Sequence, residues 1–283
     1  MLKRVGAILE MIKFEHSIFA LPFAFMGAFL AAEGIPDLAV CGWILLAMVS
    51  ARSAAMAFNR LVDAGYDATN PRTSMRALVT GALGRGEVVV FTLVTSALFV
   101  FAAAMLNTFA LVGALPVLAF LLLYSYTKRF TLLAHFVLGF CLGFAVPGGW
   151  IAVTGSLSAL PLYLGLGVSF WVTGFDLIYA CQDVDHDRRE GLHSLPARFT
   201  IKTALILSAL LHVGAFGILC AVGFIATLAW PYWMGLIVVL VSLVWQHAIV
   251  RPGDLSRVNA AFFTANGIIS VVMALGTLGA CWV

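Results

Sequence analysis

The sequence predicts an all-α integral membrane protein with about nine transmembrane helices in one bundle, and three observations predict it. Charged residues make up 10% of the 283 positions, where a soluble domain carries about 25% and needs them to cover its surface. The mean hydropathy is +1.05. Apolar runs of about 20 residues, each long enough to cross a ~30 Å hydrocarbon core, recur along the whole chain. These runs are continuously apolar and do not alternate apolar with polar, which excludes a closed β-barrel.

The expected spans, in order, begin with 16–33. Lys3, Arg4 and Lys13 precede this run, and it ends near a loose small-residue site at Phe29–Ala32. That layout resembles a secretory signal, but the run is as long as a span, so it reads as a retained helix. The second span, 38–59, carries Arg52 and runs into a loop that is first acidic and then basic, 59–85. Spans three and four, 88–106 and 109–127, meet at residue 107 without a charge between them, and Lys128 ends the fourth. The fifth, 132–154, contains the strongest interruption, Pro147-Gly148-Gly149. The sixth, 160–180, again leads into an acidic then basic stretch at 176–202, a weak internal repeat of the 59–85 pattern. Spans seven and eight are 201–224 and 230–249. The ninth, 259–281, holds Asn259 and Asn266, which read as polar packing glue between helices. No linker or low-complexity stretch divides residues 1–283, so one transmembrane domain is expected.

Positive charge sorts with these spans. Of the 16 Lys and Arg, all except Arg52 fall at the N-terminus or in alternate loops, and the intervening loops near 34–37, 107, 155–159 and 225–231 have none. The positive-inside rule then places the N-terminus and the charged loops in the cytoplasm and, with an odd span count, the C-terminus outside. Arg52 lies inside a span, where an arginine is costly and marks a functional position. A net charge of +3 gives no reason to expect a nucleic-acid partner. Cys41, Cys141, Cys181, Cys220 and Cys281 form no CxxC pair and read as bystanders. His135, His212 and His247 stand singly along the chain and attract no assignment.

Two polar clusters carry chemistry. In the first, Asn59, Asp63 and Asp67 recur every four residues. Each such step advances about 40° on a helix, so the three share a face, and Arg52 lies about 20° off the same stripe. In the second, Asp176, Asp183 and Asp187 fall within about 40° of one another if the helix is continuous, while Asp185 points away as a solvated charge. Both faces sit at the cytoplasmic side. Neither contains His or Cys at ligand spacing, which argues against zinc. Carboxylate and amide oxygens suit a hard cation such as Mg²⁺, which takes one or two protein carboxylates and fills its shell with water and substrate phosphate. Cations suited to phosphate are close by in the chain: Arg72 and Arg76 after the first cluster, and Lys128 with Tyr124 one turn before it. Arg85, Arg188 and Arg189 read as solvated helix ends. Two acidic faces with cations beside them are what binding a diphosphate through Mg²⁺ requires.

These motifs resemble those of the UbiA-type superfamily of intramembrane prenyltransferases. The family's N-D-x-x-D-x-x-x-D is similar to Asn59-Arg60-x-x-Asp63-x-x-x-Asp67, with arginine replacing the first aspartate. Its D-x-x-x-D matches Asp183 and Asp187, with Asp176 at the usual seven-residue offset. Its Y-x-x-x-K matches Tyr124 and Lys128, and its R-T-x-x-R matches Arg72-Thr73-x-x-Arg76, with Ala77 next in the chain. The resemblance covers nearly the whole chain. It implies that Asn59, Asp63, Asp67, Asp183 and Asp187 hold Mg²⁺ against a polyprenyl diphosphate. It further implies that Arg72, Arg76, Lys128 and Tyr124 bind the leaving diphosphate, and that Arg52 or Asp176 orients the acceptor or the diphosphate. Arg60 leaves one carboxylate fewer in the first motif. The segments Phe14–Pro22 and Asp183–Pro196 look similar to 4-hydroxybenzoate polyprenyltransferase-like bacterial proteins. The acceptor implied is an aromatic acid, either 4-hydroxybenzoate or the 1,4-dihydroxy-6-naphthoate of the futalosine route, and the role is respiratory quinone synthesis (ubiquinone or menaquinone). The implied location is the bacterial inner membrane, with the lipid bilayer as environment and no obligate protein partner. The competing class is a secondary transporter with acidic cytoplasmic gates. Against it, the acidic residues gather at one face instead of the midplane, and Pro147-Gly148-Gly149 has no counterpart in another span.

Overall fold

In a computed structural model of the chain, residues 2–13 and 20–283 are described. The described residues are helical, with no strand among them and one isolated bridge between Arg251 and Asp254. In chain order the helices are α1 (Leu2–Met11), α2 (Leu21–Ala32), α3 (Leu38–Thr69), α4 (Arg85–Leu106), α5 (Thr108–Leu123), α6 (Ala134–Gly143) and α7 (Ala145–Thr154). They continue with α8 (Ala159–Ala180), α9 (Val184–Arg189), α10 (Leu195–Arg198), α11 (Ile201–Ile225), α12 (Trp230–Ile249), α13 (Val258–Ala260) and α14 (Asn266–Ala280).

Eight helical stretches among the described residues are long and apolar enough to cross a membrane, where hydropathy along the chain leads to an expectation of nine. The first expected span, 16–33, appears as the 12-residue α2, about 18 Å long and shorter than a ~30 Å core. The part of that expectation covering 16–19 lies outside the described residues. The second span outruns its expected end at 59: α3 is 32 residues long and continues to Thr69, so Asn59, Asp63 and Asp67 all ride on one helix. Asn107 starts α5 by accepting a hydrogen bond from the Ala110 N–H at 2.9 Å, and Thr200 does the same for Thr203 at the start of α11, at 3.0 Å.

The Pro147-Gly148-Gly149 interruption divides the fifth span into α6 and α7. Pro147 has no N–H to offer the Gly143 carbonyl one turn earlier, so the helix breaks at Phe144 and restarts. Two other spans change pitch where the candidate site residues lie. After α5 the chain tightens into a 3₁₀ turn, Tyr124–Arg129, and after α8 into another, Cys181–Asp183. A π turn, Ala261–Ala265, opens the last span; such turns recur at functional sites.

The most enclosed span is the one containing α8: 78% of its apolar window is buried, against 11% for the span containing α5. α8 packs on α6 and α11, α2 on α7, α3 on α4, and α12 on α14. The core between them is built from Phe23, Met26, Val146, Leu164, Trp171, Val172, Leu219, Tyr232 and Met273. Lipid tails are as apolar as these side chains, so helix association depends on close packing of small residues and on hydrogen bonds. Both are present. A Cβ at Gly27 would run into the Val146 carbonyl, and one at Gly149 into the Ala24 carbonyl, so the α2 and α7 backbones touch. A Cβ at Gly139 would strike Thr173 and Ser169, which brings α6 equally close to α8. Ser208 of α11 donates to the Gly174 carbonyl of α8 at 2.7 Å.

Gly149→Val should therefore force α2 from α7 and cost about 1–3 kcal/mol, the range for overpacked cores. Thermal unfolding in detergent checks this, with the exposed Gly86→Val, where added Cβ atoms meet nothing, as the unchanged control.

Candidate active site

A cavity of about 930 Å³ opens between α3, α5, α6, α7 and α8. One end is polar, lined by Arg52, Asn59, Arg60, Arg72, Arg76, Tyr124 and Asp176. The rest is apolar, with Ile44, Met48, Phe99, Phe109, Leu121 and Phe144 among its walls. Tyr179, Phe175 and Phe262 add aromatic rings to the lining. Tyr179 packs on Phe262 at 4.4 Å between centroids, Phe262 meets Phe175 edge-on at 5.2 Å, and Phe175 meets Trp171 at 4.9 Å. The π turn delivers Phe262 to this wall.

The two acidic clusters are joined through arginines. Asp183, 7% exposed, receives two parallel bonds from Arg72, Nε to Oδ1 at 2.9 Å and Nη2 to Oδ2 at 2.6 Å. Asn70 adds a third, from Nδ2 to Oδ1 at 3.1 Å. Arg72 also donates to the Tyr179 hydroxyl at 3.1 Å and lies 5.2 Å from that ring's centroid. Burial works against the Arg72 charge, but Asp183 more than offsets it, and its pKa lies above the ordinary value. Asp67 is held by Arg76, whose Nη1 reaches both carboxylate oxygens at 2.5 and 2.6 Å. Thr73, between the two arginines, donates to the Asp67 carbonyl at 3.1 Å. Arg72 and Arg76 thus reach the cavity as partners of the acidic motifs rather than as isolated cations.

Asn59 and Asp63 make the contact that their four-residue spacing predicts, Nδ2 to Oδ2 at 2.7 Å. Asp63 also meets Arg129 Nη2 at 3.3 Å. Arg129 is fixed by the Val62 carbonyl at 2.8 Å and lies over Tyr66 and Tyr126. Arg60, where the family pattern has aspartate, is 7% exposed. It donates from Nη1 to Asn59 Oδ1 at 3.1 Å and from Nε to the Met11 carbonyl of α1 at 3.4 Å. Asp187 is 2% exposed, and its Oδ2 has no hydrogen-bond partner. Lys128, on the 3₁₀ turn opposite, is acted on electrostatically by Asp187, Asp176, Asp183 and Asp63.

Several expectations change here. Asp176, Asp183 and Asp187 do not share one regular helical face, because α8 ends at Ala180 and the 3₁₀ turn rotates the chain beyond it. Asp183 accordingly turns to Arg72, and Asp176 faces the cavity. His135 is not solitary: its Nδ1 lies 2.6 Å from Asp176 Oδ2. Nor are His212 and His247, which meet at 2.8 Å between α11 and α12. Asn266 is fully buried with neither amide atom hydrogen-bonded, so it does not glue helices by a bond to protein; Asn259 lines the cavity. Asp185 is exposed, as expected. Arg188 closes on the Ala197 carbonyl at 2.9 Å, and the cysteines are unpaired.

Among the described residues no three His, Cys, Asp or Glu side chains form a closed metal cage. The donor set fits a hard cation such as Mg²⁺: it is oxygen only, with a buried carboxylate oxygen of Asp187 left unbonded, and Mg²⁺ needs only one or two protein carboxylates. Asn59, Asp63, Asp67, Asp183 and Asp187 are the residues that could hold it. The arrangement can bind an anion at the arginine end, shelter an apolar chain at the other, and exclude water between them.

The profile of the UbiA prenyltransferase family matches residues 20–268. The 4-hydroxybenzoate octaprenyltransferase of Methylobacillus flagellatus is 32% identical over 241 residues, 85% of this chain and 81% of that protein. The enzyme of the same name from Aromatoleum aromaticum is 30% identical over 247 residues, 86% and 82% of the two chains. Among solved structures, the apo UbiA homolog from Aeropyrum pernix K1 superposes with a TM-score of 0.85 at 35% identity, covering 93% of this chain and 96% of that one. The Archaeoglobus fulgidus homolog bound to GPP and Mg²⁺ shares the fold, with a TM-score of 0.76 at 20% identity over 98% and 100% of the chains.

The Arg72–Asp183 pair should show as energetic coupling. In a double-mutant cycle with Arg72→Ala and Asp183→Ala, the coupling should be about 1–3 kcal/mol. It should stay below the cost of breaking a fully buried pair, because the Arg72 side chain is 34% exposed. Denaturation in detergent measures it, and strictly additive losses would contradict the bridge.

Proposed function

The chain belongs to the UbiA prenyltransferase family, and from that premise we propose that it transfers a polyprenyl group from polyprenyl diphosphate to a ring carbon of a 4-hydroxybenzoate-type aromatic acid, in respiratory quinone synthesis. The observation that carries the reading is the cavity's lining, in which Arg72 and Arg76, each held by an aspartate of the acidic motifs, share one space with aromatic Tyr179, Phe175 and Phe262 and with many apolar side chains. The curated relatives named above are 4-hydroxybenzoate octaprenyltransferases, which favours that acid over other acceptors. The whole chain acts as one domain of the bacterial inner membrane, with its N-terminus and both acidic motifs on the cytoplasmic side.

In this reading Arg72 and Arg76 exchange carboxylate oxygens for those of the diphosphate. Each carries planar donors that suit either partner. Lys128 adds a point charge, and Tyr124 donates a hydrogen bond from the cavity wall. Asn59, Asp63, Asp67, Asp183 and Asp187 would hold Mg²⁺, which when bound would supply charge neutralisation to the leaving group. The cations stabilise the negative charge that grows on the departing oxygen as the allylic C–O bond breaks. Tyr179, Phe175 and Phe262 offer π faces to the allylic cation and keep water from it. The apolar interior takes the prenyl chain. Arg52, within α3 and on the cavity wall, sets the acceptor's carboxylate against the ring's point of attack.

The test is transfer from a labelled polyprenyl diphosphate by the purified protein in detergent with Mg²⁺. The acceptors 4-hydroxybenzoate and 1,4-dihydroxy-6-naphthoate are offered separately. A lipid-soluble product from 4-hydroxybenzoate, abolished by EDTA, is the expected result. Product from the naphthoate alone would move the acceptor to the futalosine route, and none from either would point to another acceptor within the family. Asp183→Ala and Asp187→Ala should lower kcat by at least about 10²-fold, with the elution profile unchanged. Lys128→Ala should raise the donor KM several-fold and leave the acceptor KM near its original value.

A further inference from the structure

One member of the second acidic cluster, Asp176, is paired with a histidine, His135, and, among the described residues, with no arginine. Asp176 lines the cavity and keeps 17% of its side chain exposed. Its Oδ2 is taken by His135 Nδ1 at 2.6 Å, and its other oxygen has no hydrogen bond among the described residues. His135 is completely enclosed. The ring is fixed from behind: α6 presses on α8 at Gly139, and Thr173 Oγ1 donates to the His135 carbonyl at 3.3 Å.

The ring's second nitrogen decides the state of the pair. His135 Nε2 is buried with no partner. An imidazolium would leave a charged N–H unsatisfied there, whereas a neutral ring with its proton on Nδ1 leaves only a lone pair unmet. The neutral tautomer donates from Nδ1 to one oxygen of Asp176, and the other oxygen belongs to a side chain that lines the cavity. Phe175 and Tyr179, which precede and follow Asp176 in α8, line the same cavity.

We propose that Asp176 accepts the ring proton of the aromatic acceptor and that His135 is the positioning residue that aims it; this rests on the prenyl-transfer reading above. The C–O bond of the donor breaks with its electron pair going to the diphosphate oxygen, and the ring carbon bonds to the prenyl C1. The ring C–H bond then breaks, its electrons restore aromaticity, and the proton passes to the free oxygen of Asp176. His135 keeps its own proton on Nδ1 throughout. The protonated carboxyl releases its proton as diphosphate and product leave.

The experiment uses the full chain in detergent with labelled polyprenyl diphosphate, Mg²⁺ and 4-hydroxybenzoate carrying either hydrogen or deuterium beside the hydroxyl-bearing carbon. Wild type should turn over both at the same kcat. His135→Ala should lose about 10²-fold in kcat, the usual worth of a placed proton acceptor, with the donor KM within about twofold. Proton removal then limits the rate, so the deuterated acceptor should react about twofold or more slowly. His135→Asn places an N–H where Nδ1–H was and should recover most of the rate and erase the isotope effect. His135→Gln, whose amide reaches the Nε2 position instead, should behave like alanine, and it stands in if His135→Ala does not fold. Wild-type kcat in the alanine or glutamine variant, or a lowered kcat with no isotope effect, overturns the role of His135. Absence of product from wild type with this acceptor overturns the function first, and the proton route with it.

Discussion

A helical bundle that keeps aspartates and arginines at the border of the hydrocarbon region has to neutralise them within the protein, because lipid offers no compensation. The bidentate bond from Arg72 to Asp183 is where this requirement shapes the whole molecule. It closes a separation of 111 residues and ties the loop after α3 to the turn after α8. Asn70 and Tyr179 brace it from either side. With that tie made, the first acidic motif on α3 and the second after α8 are brought together, and Arg72 and Arg76 line the cavity. Arg76 on Asp67 and Arg129 on Asp63 repeat the solution at shorter range. A buried ion pair of this kind adds little net stability over apolar packing. It sets cations and carboxylates beside each other, an arrangement that a ligand of mixed charge, anionic phosphate with a divalent cation, could satisfy.

Much of this was legible in the chain itself. Hydropathy gave the helical membrane class, and the family motifs located the cavity's polar wall at Asn59, Arg72, Arg76, Tyr124 and Asp176. The helical-wheel argument succeeded for Asn59 and Asp63, because α3 stays regular through Thr69. It failed for Asp183 and Asp187, because it presumes a uniform 3.6-residue repeat and α8 gives way to a tighter turn at Cys181. Tyr124 and Lys128 also lie on such a turn. Nothing in the local sequence marks these changes of pitch; tertiary contacts impose them.

The histidines illustrate a different limit. Spacing along the chain finds partners on the same helix, and His135 meets Asp176 across 41 residues, His212 meets His247 across 35. Only the packing of α6 on α8 and of α11 on α12 creates these pairs. The small residues at the first contact, Gly139 above all, were visible as glycines but not as the reason that a carboxylate would be held. Asn266 reverses the lesson: a residue type that so often bridges membrane helices sits here with both amide atoms unbonded, beside the π turn that carries Phe262 into the aromatic wall.

Arg60 draws the start of the chain into the site. Its guanidinium holds the Asn59 amide oxygen with one nitrogen and the last carbonyl of α1 with another, while Glu10 and Met11 themselves line the cavity. A force applied ahead of α1, whether by a bulky fusion partner or by a neighbouring protein pulling on the amphipathic helix, is therefore transmitted through one side chain to the residue that orients Asp63. The amino terminus of this enzyme is a handle on the polar wall of its cavity, and affinity tags belong at the opposite end.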